Sequence, residues 1–317
     1  MAVSESTLAE RDLITDFATG QDRLDLTALT LRDLSLIRSG ASTILFANSA
    51  QGVFSIAATG DVNVSDLMLA QSQGVYMLGD AGRNTLTGGA GSDGIFGGGG
   101  DDVIFGGGGA DTLLGGGGAD TFAYLQASDS SAQAYDIIRD FNSGEDRIDL
   151  SALNATSTAI VRQGAATFIF AATPTGDFQL GVTSAVQGSD LISAPGAGYL
   201  LVGDGGFNTL SGGAGADILI GGGGGDRLTG GAGADIFRYA AASDSTVAAP
   251  DFILDFQSGV DKIDLRSAHS ASGNDAFGVM VVKGDTLLFV DQNRDGVADM
   301  LIALQGFTGL QSSDILF

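Results

Sequence analysis

The stretch Gly88-Gly-Ala-Gly-Ser-Asp93-Gly-Ile-Phe, Gly97-Gly-Gly-Gly-Asp-Asp102-Val-Ile-Phe, Gly106-Gly-Gly-Gly-Ala-Asp111-Thr-Leu-Leu, Gly115-Gly-Gly-Gly-Ala-Asp120-Thr-Phe-Ala123 repeats one nine-residue phrase four times. The phrase is Gly-Gly-x-Gly-x-Asp-x-apolar-x. With a leading unit at Gly79, the run to Ala123 divides into five such units, and four more run from Gly203 to Arg238, clearest at Gly212, Gly221 and Gly230. Glycines at the first, second and fourth places permit a six-residue turn through backbone regions closed to other residues, and the sixth-place Asp aims a carboxylate into that turn. The last three residues form a short strand. Its middle side chain is apolar, as in Ile104, Leu113, Leu219 and Leu228, so strands stacked on opposite sides bury a narrow core. The expected fold is all-β, a parallel β-roll with two units per coil.

These units resemble the calcium-binding nonapeptides of the RTX family, in which ions lie between one turn and the turn two units further on. The resemblance implies an all-oxygen shell of sixth-place carboxylates and backbone carbonyls, the shell a hard cation prefers. Carried over by position, the carboxylates are Asp93, Asp102, Asp111, Asp120, Asp217, Asp226 and Asp235. The implied carbonyl donors are Gly88 and Ala90, Gly97 and Gly99, Gly106 and Gly108, Gly115 and Gly117, Gly212 and Ala214, and Gly221 and Gly223. In the leading units Asn84 and Asn208 replace the Asp, so the first coil of each roll is expected to bind weakly or not at all.

Composition agrees with a cation-binding chain. The 317 residues are 44% apolar and carry a formal charge of −24, which supports buried cores and excludes a nucleic-acid partner by repulsion from phosphates. Without metal, crowded carboxylates repel and the glycines retain backbone entropy, so the rolls are expected to fold on binding calcium. No cysteine occurs, which rules out disulfides and thiolate sites. The first eleven residues lack the basic and apolar segments of a cleaved signal, and no apolar run reaches transmembrane length. RTX-type sites need more calcium than a cytosol holds, and extracellular modules work at dissociation constants of about 10⁻⁴ to 10⁻³ M. The expected location is therefore outside the cell.

A second element occurs three times. Asp12-Leu-Ile-Thr-Asp-Phe17 with Gly20 to Leu26 is echoed by Asp136 to Phe141 with Gly144 to Leu150, and by Asp251 to Phe256 with Gly259 to Leu265. Two short strands joined at a Gly-containing turn predict a hairpin capping the open end of each roll. These surroundings are similar to the C-terminal β-roll module of serralysin-type metalloproteases, with a similar module in secreted mannuronan epimerases. That resemblance adds Asp129 and Asp136, and Asp244 and Asp251, as ligands completing the last calcium shells; Asp residues that form turns are the alternative reading. β-forming segments follow each cap and end alike at Ser65-Asp66-Leu67, Ser189-Asp190-Leu191 and Ser313-Asp314-Ile315. The expected modules are 1–78, a cap and β segment without a roll; 79–202, with roll 79–123, cap 124–150 and β segment 151–202; and 203–317. In the first, Glu5 and Asp12 stand where Asp129 and Asp136 stand in the second. Such an orphan cap suits a fragment of a longer protein or a dock for another subunit.

Three further features bear on function. Asp291-Gln-Asn293-Arg-Asp295-Gly296 begins like an EF-hand loop, but Ile302 occupies the place of the bidentate acid, so a hairpin turn is expected. The end, Asp314-Ile-Leu-Phe317, resembles the uncleaved signal of type I secretion substrates, while a closing strand is the plainer reading. The lone His269 cannot form a two-histidine zinc motif, and the modules leave no room for a catalytic domain. The sequence thus reads as a non-catalytic, secreted calcium-binding protein of the extracellular matrix, biofilm or surface layer. Its expected partners are calcium, the type I secretion machinery, and further copies of itself or a cell-surface polysaccharide. The alternatives are the tail of a serralysin- or epimerase-type exoenzyme and a membrane-active small RTX protein.

Overall fold

The computed structural model describes residues 12–19, 21–26, 31–49, 52–60, 62–63, 67–68, 74–268 and 275–317. Glu5, Gly20, Ser65, Asp66 and His269 lie outside them. The chain divides into two compact units, Met1–Ala155 with Ala172–Ser184, and Thr156–Ala171 with Ala185–Phe317.

In the first unit the nonapeptide strands alternate between two parallel sheets. Tyr76–Leu78, Gly94–Gly99 and Thr112–Gly117 stack in one, and Thr85–Thr87, Val103–Phe105 and Thr121–Ala123 in the other. Ile95 pairs with Leu113, and Ile104 with both Leu86 and Phe122, which is the step of two units per coil that the repeat predicts. All five side chains are buried, because the strand's middle residue is the one that points between the sheets. The turns need their glycines. Gly107 has φ +89°, and a Cβ there would strike the carbonyl of Gly89 one coil away. The second unit repeats the arrangement with Tyr199–Val202, Ile218–Ile220 and Ile236–Arg238 in one sheet and Thr209–Ala214 and Arg227–Ala232 in the other. Its core is Leu201, Leu210, Leu219, Leu228 and Phe237. The fold is a parallel β-roll, as expected, and no α-helix occurs among the described residues.

The caps are built differently from the expected hairpins. Asp136–Ile138 does not pair with Arg147–Asp149; it continues one sheet in parallel on Thr112–Gly117, while Arg147–Asp149 continues the other on Thr121–Ala123. Asp251–Ile253 and Lys262–Asp264 do the same on Arg227–Ala232 and Ile236–Arg238. Each cap is one further coil of the roll. Parallel continuation satisfies the open backbone edges of both sheets at once, which a hairpin folded on itself would leave exposed.

After each cap come three strands in chain order: Leu31–Ser39, Ser42–Ser49 and Gly52–Thr59; Ser157–Gln163, Ala166–Thr173 and Gly176–Val182; Ala276–Val282, Asp285–Asp291 and Met300–Leu304. The last of each set pairs in parallel with its cap, Ile56 with Asp12, Leu180 with Asp136 and Ile302 with Asp251. The first roll has five nonapeptides and the second four. In the first roll the leading strand and the first cap strand therefore fall in the same sheet, and in the second they fall in opposite sheets.

Candidate metal centres

The sixth-place carboxylates form two ladders along each roll. On one side of the first roll, Asp93 N–H donates to Asp111 Oδ1 at 2.7 Å and Asp111 N–H to Asp136 Oδ1 at 2.9 Å. On the other, Asn84 N–H donates to Asp102 Oδ1, Asp102 N–H to Asp120 Oδ1 and Asp120 N–H to Asp146 Oδ1, at 2.7, 2.9 and 3.0 Å. The second roll has the same ladders, Asn208 to Asp226 to Asp251 and Tyr199 to Asp217 to Asp235 to Asp261. Each rung fixes one carboxylate oxygen against the backbone. In the nonapeptide units the other faces the glycine turns.

Those second oxygens define the site. Oδ2 of Asp102, Asp111, Asp120, Asp136, Asp217, Asp226, Asp235 and Asp251 is buried and accepts no hydrogen bond. Such a group is costly to bury, by about 1–3 kcal/mol and more when charged. At Asp136 and Asp251 the buried hydroxyls of Tyr124 and Tyr239 act on the carboxyl; the other six lack such a donor, and their missing partner has to be a cation or a proton. A Cβ built on Gly97 would collide with both Asp102 Oδ2 and the Gly115 carbonyl, and one on Gly212 with Asp217 Oδ2 and the Gly230 carbonyl. Carboxylate and carbonyl oxygens thus converge on a space that only glycine leaves open. On Gly106 the added atom would lie 3.1 Å from Asp136 Oδ2, besides striking Asp111 Oδ2, so the cap carboxylate joins the repeat carboxylate in the last space of that side. Among the described residues no three His, Cys, Asp or Glu side chains converge, so any shell here is completed by backbone oxygens. Hard oxygens without nitrogen or sulfur suit Ca²⁺.

Burial, acting without a counter-charge, pushes these carboxyls up. Asp136 and Asp251 rise to about 8, through burial and then the charges of Asp111 and Asp226 respectively. Asp111 rises to about 7, and Asp120, Asp217 and Asp226 to about 6, burial being the largest cause in each. Asp102 and Asp235 are raised for the same reason. Asp93 is also raised by burial, but its Oδ2 accepts from Gly89 N–H at 2.7 Å and is already engaged.

Asp129 and Asp244 do what turn residues do and also stand close to the site. Asp129 Oδ2 accepts from Leu125 and Gln126 N–H at 2.9 and 3.0 Å, and its charge acts on Asp111 and Asp136. Asp244 does likewise with Ala240 and Ala241, and acts on Asp226 and Asp251. The leading units close on themselves. Asn84 Oδ1 accepts from Asp80 N–H at 2.8 Å and its Nδ2 donates to Asp80 Oδ1 at 3.3 Å; Asn208 and Asp204 match them at 2.7 and 3.2 Å. The amide supplies the donor that a carboxylate lacks, which leaves those coils satisfied without an ion.

Sequence reasoning missed several members. Asp146 and Asp261 end the second ladder, and their other oxygens accept from Asn142 and Gln257 N–H. Asp140 takes Gly115 and Gly116 N–H in a fork, and Asp255 takes Gly230 and Gly231. Tyr124 and Tyr239 are fully buried, and the charges of Asp136 and Asp251 push their hydroxyls further above the usual range than burial alone would. Their common signal was the recurrence of the same residue at the same distance after the last repeat Asp of each roll. The EF-hand-like loop spends its oxygens on its own turn: Asp291 accepts from Arg294 and Gly296 N–H, Asn293 from Asp295, and Asp295 from Val297. It joins the antiparallel pair Asp285–Asp291 and Met300–Leu304, the expected hairpin. The final Ile315–Leu316 is a closing strand on Lys262–Asp264.

A family profile described as the C-terminal region of peptidase M10 serralysin matches residues 83–173 and again 207–317. The chain belongs to this serralysin C-terminal family, a non-catalytic module of RTX type, as the sequence resemblance implied. Serralysin A of Dickeya chrysanthemi is 44% identical over 66 residues, 21% of this chain and 11% of that protein. Serralysin C of the same organism is 61% identical over 36 residues, 11% of this chain and 8% of that one. The chain thus spans about a tenth of the length of these relatives. Among solved structures, the AlgE6R2 subunit of the Azotobacter vinelandii mannuronan C5-epimerase is 27% identical, covering 39% of this chain and 95% of that one with a TM-score of 0.31. The extracellular lipase LipA of Serratia marcescens is 17% identical over 78% of this chain and 40% of its own, with a TM-score of 0.26. No helix of the described residues is long and apolar enough to cross a membrane.

Proposed function

We propose that the chain is a secreted calcium-binding protein whose two rolls fold on Ca²⁺ outside the cell and whose role is non-catalytic. The observation that carries this reading is the set of buried carboxylate oxygens without hydrogen-bond partners on Asp102, Asp111, Asp120, Asp217, Asp226 and Asp235, each facing a glycine turn. In the first roll Asp93, Asp102, Asp111 and Asp120 hold the ions with carbonyls of Gly88, Ala90, Gly97, Gly99, Gly106, Gly108, Gly115 and Gly117, and Asp129 and Asp136 complete the last shell. In the second, Asp217, Asp226 and Asp235 act with Gly212, Ala214, Gly221 and Gly223, and Asp244 and Asp251 complete it. Bound calcium supplies the positive charge that offsets carboxylate repulsion, and its binding free energy becomes folding free energy. Export through the type I machinery as an unfolded chain, followed by folding in millimolar calcium, fits this coupling. The biological role we assign is a structural one in the extracellular matrix, a biofilm or a surface layer, through further copies of the chain or a cell-surface polysaccharide. A calcium titration followed by far-UV circular dichroism tests the central claim. A chain equally folded in metal-stripped buffer near neutral pH, with no calorimetric calcium binding, would sink it.

A second reading is favoured by the family match: the module is the secretion and targeting end of an exoenzyme, as its named relatives are serralysins. A catalytic domain encoded in the same reading frame separates the two.

A further inference from the structure

The first strand after a cap has a fixed task in two of its three copies. Leu31–Ser39 carries Tyr76–Leu78 in parallel on its outer edge, with Ser35, Leu36 and Ile37 opposite Tyr76, Met77 and Leu78. Ser157–Gln163 carries Tyr199–Val202, with Ala159, Ile160 and Val161 opposite Leu200, Leu201 and Val202. In both copies the docked strand is the leading strand of a roll and runs directly into Gly-Asp, Gly79-Asp80 and Gly203-Asp204. That Asp then clips the turn that ends the carrying strand: Asp80 Oδ2 accepts from Gly40 N–H at 2.5 Å and Asp204 Oδ2 from Gly164 N–H at 2.7 Å.

The third copy, Ala276–Val282, has the ring of Phe277 packed edge-on against Phe317 at 4.4 Å but carries no docked strand among the described residues. It pairs with Asp285–Asp291 on one side, and no strand of the described residues lies on the other. Gly40, Gly164 and Lys283 each open the two-residue turn that follows this strand, with φ values of +59°, +63° and +54°. This places Gly278, Val279 and Met280 where Ser35, Leu36 and Ile37 stand. Leu36 and Ile160 are 1% exposed beneath their docked strands, whereas Val279 is 54% exposed. Met280, Val281 and Val282 are exposed beside it, an uncharged apolar run on an open strand edge. An edge of this kind is a template for another strand. At the position of the clip stands Lys283, an exposed cation in place of a glycine.

We infer that Ala276–Lys283 is a docking edge for the leading strand of another roll. The occupant is an extended apolar segment ending in Gly-Asp, added in parallel, with its middle residue over Val279 and its aspartate at Lys283. Main-chain bonds to the edge give affinity, and the apolar alternation with the terminal carboxylate gives register.

The test uses the whole chain in millimolar calcium and a fluorescein-labelled peptide of residues 196–206, Gly-Ala-Gly-Tyr-Leu-Leu-Val-Gly-Asp-Gly-Gly. Fluorescence anisotropy is expected to show saturable binding. Val279→Lys, at an exposed position, should weaken it about tenfold or more with unchanged circular dichroism, because it puts a charge where an apolar contact forms. Lys283→Gln, or Asn in place of the peptide's aspartate, should weaken it several-fold and flatten its salt dependence. No saturable binding, equal binding by the Val279→Lys protein, or equal binding of a scrambled peptide would overturn the inference. So would a chain that sediments as a dimer and becomes monomeric on Val279→Lys, since the edge would then pair with itself.

Discussion

Asp111 and Asp136 are joined through the backbone and set apart by charge: Asp111 N–H donates to Asp136 Oδ1 at 2.9 Å, while both Oδ2 atoms stay buried with only the Tyr124 hydroxyl acting on Asp136. The ladder therefore imposes nearness on two carboxyls that repel. Replacing Asp136 by Asn should ease the metal-free roll and weaken calcium binding, raising the calcium midpoint about tenfold, or ~1.4 kcal/mol. The exposed Asp177→Asn is the control, and circular dichroism titrations of both variants give the comparison.

The pH dependence follows from the same carboxyls. Free Asp titrates near 3.9, whereas in the folded chain Asp136 and Asp251 stand at about 8 and Asp111 at about 7. Between pH 4 and 8 the folded, metal-free chain thus holds protons that the unfolded chain has released, and its stability falls as pH rises. Calcium competes for the same oxygens, so its affinity should climb over this window, most steeply from about pH 6 to 8. Isothermal titrations at pH 6, 7 and 8 measure this, and a flat or declining affinity would contradict it.

Two glycines separate conformational strain from collision. Gly144 and Gly107 have nearly the same φ, +90° and +89°, but a Cβ on Gly144 meets open space and one on Gly107 meets the Gly89 carbonyl. Gly144→Ala should cost about 1 kcal/mol, the left-handed penalty alone. Gly107→Ala should cost about 3 kcal/mol or more, because backbone must move. Chemical denaturation in saturating calcium would rank them, and equal losses would show that the turn adapts.

Asp146 accepts from Asp120 and Asn142 N–H, tying the last coil to the roll. Asp146→Ala leaves the buried Asp120 N–H unmet, while water can replace the bond to the exposed Asn142, and should cost about 1–3 kcal/mol. Hydrogen exchange should show the loss first at Arg147–Asp149, and protection unchanged there would remove Asp146 from the ladder.

The nonapeptide period made the roll legible, because the positions of Gly, Asp and the apolar eighth residue each have one physical use in a coil of two units. The caps were harder. Asp136–Ile138 and Arg147–Asp149 look like a hairpin locally, with alternating side chains around a Gly-containing turn, and only the open sheet edges above them decide for parallel addition. Asp146 escaped notice for a related reason: it lies 26 residues from its donor Asp120, outside the 18-residue step that relates rungs between nonapeptides. In Asp80–Asn84, by contrast, the substitution of Asn for Asp is visible in the sequence, while the reciprocal bonds that satisfy the turn form only in the folded chain.

Five nonapeptides in one roll and four in the other make the number of units a parity setting rather than a length. Each unit is half a coil, so adding or removing one turns the exit of the roll to the opposite face and carries with it whatever strand follows the cap. Duplication of a single nine-residue phrase, the simplest event in a repetitive gene, would therefore change which sheet receives the next strand while leaving every glycine turn intact. Inheritance in this fold acts in steps of two when it conserves a surface and in steps of one when it exchanges it.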